Sequence, residues 1–404
     1  MNNKYTTQDN PDVDRFVENQ LDIVVHSLCG LMGDDLKAIV LTGGFGRSEG
    51  SVMIEPTGLM HAVNDYDIEV VYSDKRGVFL SKLIMHLRYK KKLEVVEKKL
   101  ASQLGIKQVD LTLRGEQSYS GIENPKLADY DLKYGHKLLY GKADPVDLMR
   151  PFQSREIPLY EATWLFRNRG IGLLLAYLYI NNGRLAESKK ENFYIEINKA
   201  ILAMGDALFI KEGKYICSYK ERALNIQDVI QPDYEYMKEL LSLYPVAANY
   251  KLNPQENMYP GMSPIQIWHK VNELYQSLFL YFESYRLKKT FNNISDYAEW
   301  VSNEPRLNYK QYAKLYFLKL TDGIEENSRF LSLKVDRSRN ILFIFSLLAS
   351  CDEINDITAC NNLIKQLSAI HGKELTKSNR NELVKRFLLL IHPSGEVGRF
   401  LENS

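Results

Sequence analysis

The sequence has few cysteines, no long hydrophobic run and almost no net charge. Its 404 residues include four cysteines, which lie far apart and form no CxxC pair. This spacing argues against a zinc ribbon and favours a reducing compartment. The apolar runs are too short to span a bilayer, and the polar N-terminal segment lacks the apolar stretch of a secretory signal. We therefore expect a cytoplasmic protein without a membrane partner.

The charge balance gives no sign of a polyanionic partner either. Lysine and arginine number 52 and aspartate and glutamate 51, so the formal net charge is +1 and no global field attracts nucleic acid. The seven histidines show no metal-ligand spacing, and no signal specific for DNA is present. With 45% apolar and 25% charged residues, the composition is that of an ordinary globular protein.

What is present is an alternation of strands and helices that stops near residue 145. Helical spacing of apolar residues predicts helices over 12–32 and 76–105. Apolar, β-branched runs predict strands at 36–44, 66–72 and 107–115, with a weaker strand at 137–142. A linker with three prolines follows at 143–161. Further helices are predicted at 161–182, 188–212, 233–244, 263–290, 308–321, 338–351, 356–371 and 376–392.

The acidic stretch NDYDIEVV, residues 64–71, carries carboxylates at alternate positions of a predicted strand. Alternation places Asp65, Asp67 and Glu69 on one face, where like charges raise one another's pKa. Asp110 stands mid-strand between a valine and a leucine, where an unpaired charge is costly. Because Mg²⁺ prefers oxygen ligands, a metal site is one interpretation, and an acidic strand edge facing water is the other.

The stretch LTGGFGRSEGSV, residues 41–52, ends a predicted strand with paired glycines. Glycines at the end of a strand indicate that the backbone approaches something closely. The order of glycine turn, acidic strand and third acid resembles the nucleotidyltransferase superfamily, which includes DNA polymerase beta and the kanamycin-type and minimal nucleotidyltransferases. The resemblance covers about residues 30–145 and rests on GGFGRSEG, NDYDIEVV and VDLTLR.

The resemblance implies an α+β fold and a catalytic domain. An N-terminal nucleotidyltransferase domain, a small mixed sheet with flanking helices, would precede a large all-helical C-terminal region. We divide the chain into a catalytic domain at 1–145, a helical substrate- or nucleotide-binding domain at 146–250 and a C-terminal helical domain at 251–404. Two departures from the family are a glycine at position 44, where members often have serine, and an apparent insertion at 53–63.

The resemblance also implies Mg²⁺-dependent transfer of a nucleoside monophosphate from a triphosphate to a hydroxyl or similar acceptor, with release of pyrophosphate. Two Mg²⁺ ions, for which Mn²⁺ can substitute, would be held by carboxylates. The residues implied for metal binding and catalysis are Asp65, Asp67 and Asp110, and those for the nucleotide are Gly43, Gly44, Arg47 and Ser48. Asp67 with Glu69 is the alternative metal pair, and an ion pair with Glu49 is the alternative role for Arg47.

Three other segments have both a functional and a packing interpretation. In GDALFIKEGKYICSYKER, residues 205–222, the further site candidates are Lys214, Tyr215 and Arg222, against roles in capping and packing. The basic helix face at 88–99 fits RNA phosphates or a solvated surface. RFLLLIH at 386–392 matches the Arg-x(4–6)-His spacing of HEPN ribonucleases, against a core helix that ends at Pro393.

The sequence leaves the acceptor open between a small molecule, a protein and an RNA end. The donor is a nucleoside triphosphate of unspecified base. From another class, the alternative function is a nucleotide-binding or regulatory module without turnover, or a component of a toxin–antitoxin type system.

Overall fold

The computed structural model describes residues 4–74, 78–181, 184–254 and 259–294, together with isolated positions between 296 and 388. The chain divides into two compact units. The first comprises Met1–Glu161, Phe209–Gln231 and Tyr244–Met258, and the second Ala162–Leu208, Pro232–Leu243 and Tyr259–Ser404. Two later segments, 209–231 and 244–258, thus belong to the same unit as the N-terminal elements.

The first unit begins with alternating helices and strands. In chain order these are α1 (Pro11–Met32), β1 (Leu36–Leu41), the one-turn α2 (Gly43–Gly46), β2 (Val52–Ile54), β3 (Met60–Ala62), β4 (Tyr66–Tyr72), α3 (Val78–Leu104), β5 (Val109–Gly115), α4 (Leu127–Tyr134) and β6 (Lys137–Tyr140). The following elements are α5 (Leu159–Tyr179), β7 (Ile180–Asn181), β8 (Arg184–Leu185), α6 (Glu187–Lys211), α7 (Tyr219–Val229), α8 (Glu235–Leu252) and α9 (Pro264–Leu287).

A four-stranded mixed sheet organises the first unit, with the strand order β5-β4-β1-β6. β1 is antiparallel to both β4 and β6, whereas β4 and β5 are parallel. The parallel pair is connected by α3, since parallel neighbours need a long crossover rather than a hairpin. β2 and β3 form a separate hairpin, which includes most of the segment 53–63 that was expected only as an insertion.

The two faces of the sheet have different neighbours. On one face, Ile68 and Val70 of β4 join a core formed with α1 and α3, to which Val17, Leu21 and Leu93 belong. On the other face, Val40 and Val71 pack with residues that follow β5, including Tyr119, Leu132 and Phe152. Because side chains alternate along a strand, Asp67 and Glu69 of β4 lie on this second face together with Val71.

The described part of the second unit is mainly helical and has an aromatic core. The ring of Phe166 on α5 lies 5.2 Å from that of Tyr275 and 5.5 Å from that of Phe279, both on α9. The fully buried Glu283 accepts a hydrogen bond of 2.6 Å from Thr163 and one of 2.8 Å from Arg286 Nε. A buried carboxylate with such partners avoids the cost of an unpaired charge.

The predicted α+β class, a small mixed sheet followed by helices, is confirmed by this architecture. Three helices were not predicted, namely the one-turn α2, α4 and α7. α8 was expected to end before Pro245, but it continues to Leu252. Proline lacks the N–H of one helical hydrogen bond, and burial of Tyr244, Ala247 and Ala248 holds this helix together across it.

Some predictions fall where the structure gives no description. The helices at 308–321, 338–351, 356–371 and 376–392, and the segment RFLLLIH, lie in or largely in these parts. The basic stretch 88–99 belongs to α3, where all five of its lysines are exposed and Arg88 pairs with Asp35 at 2.6 Å. Among the described residues, no helix combines the length and apolar character needed to cross a membrane.

Candidate active site

Two neighbouring strands place one acidic residue each at the same level of the sheet. Asp67 of β4 and Asp110 of β5 are register partners in the parallel ladder. Their neighbours Tyr66, Ile68 and Val109 are buried in the core with α1 and α3, so both carboxylates lie on the opposite face. Adjacent strands are about 4.8 Å apart, and the two acids are therefore side by side.

The pKa of Asp67 is raised above its usual value by this environment. The largest cause is burial of the carboxyl, which disfavours its charged form, and the second is the charge of Asp110. Lys251 and Arg47 act in the opposite direction and lower the pKa. The site thus combines two repelling carboxylates with two cationic side chains, one from the glycine turn and one from the last turn of α8.

The glycine turn after β1 lies directly against Asp67. The Thr42 N–H and its hydroxyl both donate to the main-chain oxygen of Asp67, at 2.8 and 3.1 Å. Gly43 has a φ of +63°, and a Cβ at this position would lie 1.9 Å from Asp67 Oδ2. Only glycine satisfies both the left-handed backbone and the close approach. The close backbone approach expected from the sequence is therefore directed, in this structure, at an acidic side chain.

A hydrogen bond joins the glycine turn to the acidic strand close to Gly44 and Asp65. Asn64 Oδ1 accepts from the Ser51 N–H at 2.8 Å, and a Cβ on Gly44 would be 3.6 Å from the same oxygen. Asp65 directly precedes β4 and is half-buried. It is two residues before Asp67, the spacing that places side chains of an extended chain on the same face. Across the described ranges, no three histidine, cysteine or acidic side chains come together in a way that could hold a metal ion. The ligand set of Asp65, Asp67 and Asp110 therefore stays a prediction.

Asp67 and Asp110 as a pair do fit a divalent cation. Both offer carboxylate oxygens, the ligands that Mg²⁺ prefers, and a cation between them would remove the repulsion that raises the Asp67 pKa. Asp110 is oriented by Gln108, whose side-chain amide donates to Asp110 Oδ1. These two residues are the part of the predicted metal site that the structure brings together.

Glu69 shares the face of Asp67 but is held in a separate network. Arg114 Nη1 donates to Glu69 at 2.9 Å, and the Tyr119 hydroxyl donates to the other carboxylate oxygen. The Arg114 guanidinium also lies 4.3 Å from the centroid of the Tyr119 ring. Because both oxygens have strong protein donors, the geometry gives no support to Asp67 with Glu69 as the metal pair.

Arg47 and Ser48, the other two predicted nucleotide contacts, have different surroundings. The Arg47 side chain is only 10% exposed, 3.8 Å from Glu49 and 3.9 Å from Asp131. Its Nε donates no hydrogen bond among the described residues, so one buried donor remains available. Ser48 has a φ of +63°, and its hydroxyl donates to the Lys4 main-chain oxygen while accepting from Lys137 Nζ at 2.9 Å.

The candidates from 205–222 divide between surface and interior. Lys214 is exposed, whereas Tyr215 is 3% exposed and donates to Asp131 at 3.1 Å. Arg222 has no exposed surface; its guanidinium donates to the Tyr244 hydroxyl at 2.9 Å and to a main-chain oxygen. The structure thus places Arg222 and Tyr215 as packing residues, and their burial argues against direct contact with a nucleotide.

Sequence reasoning missed Lys251 of α8 and the contact between Glu49 and the N-terminus of α7. Lys251 was not a candidate, although its charge acts on Asp67. Nor was Glu49 assigned a site role beyond an ion pair with Arg47, although its carboxylate is bound to the N-terminus of α7. No local motif marks either role, since both depend on contacts between segments far apart in the chain.

Comparison with known proteins reveals a weak structural similarity and no family. No family model matches the chain, and no curated protein matches it either. One similar solved structure is the spectinomycin adenyltransferase AAD(9) from Enterococcus faecialis, in complex with ATP and spectinomycin. It has 16% sequence identity and a TM-score of 0.35 over 64% of this chain and 98% of that chain. This similarity is too low to establish a common fold.

Proposed function

We propose that this chain is a divalent-metal-dependent nucleotidyltransferase that moves a nucleoside monophosphate from a nucleoside triphosphate to an acceptor. The observation that carries the proposal is the pair of carboxylates, Asp67 and Asp110, in register on parallel strands with the Gly43 backbone against one of them. This arrangement places a candidate cation site beside a glycine turn, and the main-chain N–H groups of such a turn suit a phosphate.

The proposed roles follow from charge and position. Asp67 and Asp110 would hold the metal, with Asp65 as the third predicted ligand. Bound metal would supply charge neutralisation for the triphosphate and activation of the acceptor. Arg47, with its unused buried donor, and Lys251 supply positive charge on the protein side. Asp110 is the candidate to accept the proton of the acceptor hydroxyl, since a base must lie within hydrogen-bond reach.

The acceptor and the base of the donor are tested directly by label transfer. The purified protein is incubated with each α-labelled nucleoside triphosphate, Mg²⁺ or Mn²⁺ and cell extract, and label on RNA, protein and small molecules is counted together with pyrophosphate. We expect Asp67→Asn and Asp110→Asn to lose transfer by more than about 100-fold. The matched control is Asp228→Asn, an exposed aspartate of α7, which should leave the rate unchanged.

Two outcomes would refute the proposal. Unimpaired transfer by either variant would remove Asp67 or Asp110 from the mechanism. Metal-dependent nucleotide binding without pyrophosphate release, with every donor and extract, would instead identify a nucleotide-binding module without turnover.

A further inference from the structure

Glu49 leaves the glycine turn and binds the first turn of α7. Its side chain is 4% exposed. Its carboxylate accepts hydrogen bonds from Ser218 Oγ at 2.6 Å, from the Tyr219 N–H at 2.9 Å and from the Lys220 N–H at 2.9 Å. Ser218 is the N-cap of this helix, so Glu49 satisfies main-chain donors that otherwise have no partner within the helix and lies at the positive end of the helix dipole.

The main chain of Glu49 is fixed to the glycine turn at the same time. Its N–H donates to the Gly44 main-chain oxygen at 2.8 Å, and a Cβ on Gly44 would lie 3.3 Å from the Glu49 main-chain oxygen. One residue therefore connects the turn that contacts Asp67 with a helix about 170 residues later in the chain.

The first turn of α7 and the residues before it pack around the Arg222 guanidinium. The Arg222 guanidinium lies 4.6 Å from the Tyr215 ring centroid and 4.2 Å from that of Tyr219. It also donates to the hydroxyl of Tyr244 on α8. The Arg47 guanidinium lies 5.5 Å from the centroid of the same Tyr219 ring. Two cations from different segments thus contact one ring.

From these contacts we infer that Glu49 is a positioning residue, which holds the glycine turn in place for the nucleoside triphosphate by binding it to the N-terminus of α7. The effect of Glu49 on binding of the nucleoside triphosphate rests on the proposed function. Glu49 acts through the main chain of residues 43–46 and through Arg47, and not by touching the donor. The same contacts occupy the N-terminal amides of α7, so this helix end is closed to phosphate.

The connection itself is tested by hydrogen–deuterium exchange in protein without metal or nucleotide. Glu49→Gln keeps the size of the side chain and removes its charge, so the charge-assisted bonds become ordinary ones. We expect amides in 43–50 and 219–222 to exchange about tenfold faster, while the sheet strands are unchanged. Glu221→Gln, an exposed charge removed from the first turn of the same helix, is the matched control. Unchanged exchange in 43–50 would overturn the inference.

The effect on the donor is tested by steady-state kinetics of pyrophosphate release. Glu49→Gln is expected to raise KM for the triphosphate by about tenfold, with kcat altered less than about threefold, because the reacting groups remain. Ser218→Ala should raise KM in the same way. The effect of the double variant on KM should be smaller than the sum of the two single effects, since both substitutions remove the same contact. A lower melting temperature with KM unchanged would show a role in folding alone and overturn the inference. If the wild type releases no pyrophosphate, the proposed function fails, and hydrogen exchange alone decides the connection.

Discussion

Replacing Asp67 with Asn should abolish transfer and, at the same time, stabilise the fold. In the folded chain the Asp67 carboxyl is largely buried beside Asp110, and its pKa is raised by burial and by that charge. Two unit charges about 5 Å apart repel by roughly 3 kcal/mol at an effective dielectric constant of about 20. Lys251 and Arg47 offset part of this repulsion. An asparagine at position 67 keeps the shape and loses the charge, so we expect a net gain of about 1–2 kcal/mol.

The assay is thermal and urea denaturation of the wild type and Asp67→Asn, without metal and near neutral pH. A gain of this size raises the melting temperature by roughly 2–8 °C for a unit of this length. Added Mg²⁺ should stabilise the wild type and leave the variant unchanged, since a cation that binds the folded state adds to its stability.

The pH dependence of the gain has a defined sign. The folded-state pKa of Asp67 is raised above its unfolded value, so protonation favours the folded chain. The repulsion is absent at low pH, and it grows as the pH rises through the raised pKa. The advantage of Asp67→Asn should therefore be present near neutral pH and shrink toward pH about 4, where the aspartate of the unfolded chain also takes up its proton.

The contrast on the same strand is Glu69→Gln. Glu69 is paired with Arg114 at 2.9 Å and with Tyr119, so loss of its charge should destabilise by about 1–3 kcal/mol. If Asp67→Asn were destabilised near neutral pH as Glu69→Gln is, the reasoning would be refuted, because it holds that the Asp67 charge destabilises the folded chain in the absence of a cation.

Three further changes probe the same surroundings. Gly43→Ala places a Cβ 1.9 Å from Asp67 Oδ2 in a left-handed backbone, so pyrophosphate release should fall more than about tenfold; a wild-type rate would show that the turn can move without cost. Arg222→Met removes the hydrogen bond that the buried guanidinium donates to the Tyr244 hydroxyl and should cost about 2–3 kcal/mol in urea denaturation, whereas equal stability would show that the guanidinium is dispensable. Lys251→Met removes a charge that lowers the Asp67 pKa, so the acid limb of the pH–rate profile should move to higher pH; an unmoved limb would place Lys251 outside the site.

The sheet and its acidic face could be predicted because their signals are local. Alternation in YDIEVVY requires only neighbouring residues, and β4 has the predicted bounds, Tyr66–Tyr72. The same alternation placed Asp67 and Glu69 on one face, but it could not tell them apart. What distinguishes them is Arg114 and Tyr119, which reach Glu69 from a later segment.

The role of 205–222 could not be read from the sequence for a similar reason. A basic and aromatic stretch suits either ligand contact or packing, and the choice depends on what covers it. Arg222 is enclosed by tyrosine rings from its own segment and by Tyr244 of α8. The Glu49 connection to α7 joins residues about 170 positions apart, which no periodicity or spacing indicates.

Binding of Mn²⁺ with a nucleoside triphosphate tests the central claim most directly. Mn²⁺ is titrated into the protein with and without ATP, and bound metal is measured by electron paramagnetic resonance for the wild type, Asp67→Asn, Asp110→Asn and Asp228→Asn. The account predicts metal binding by the wild type and Asp228→Asn, and a loss of at least about tenfold in affinity for the other two variants. Equal Mn²⁺ affinity in all four proteins would contradict it.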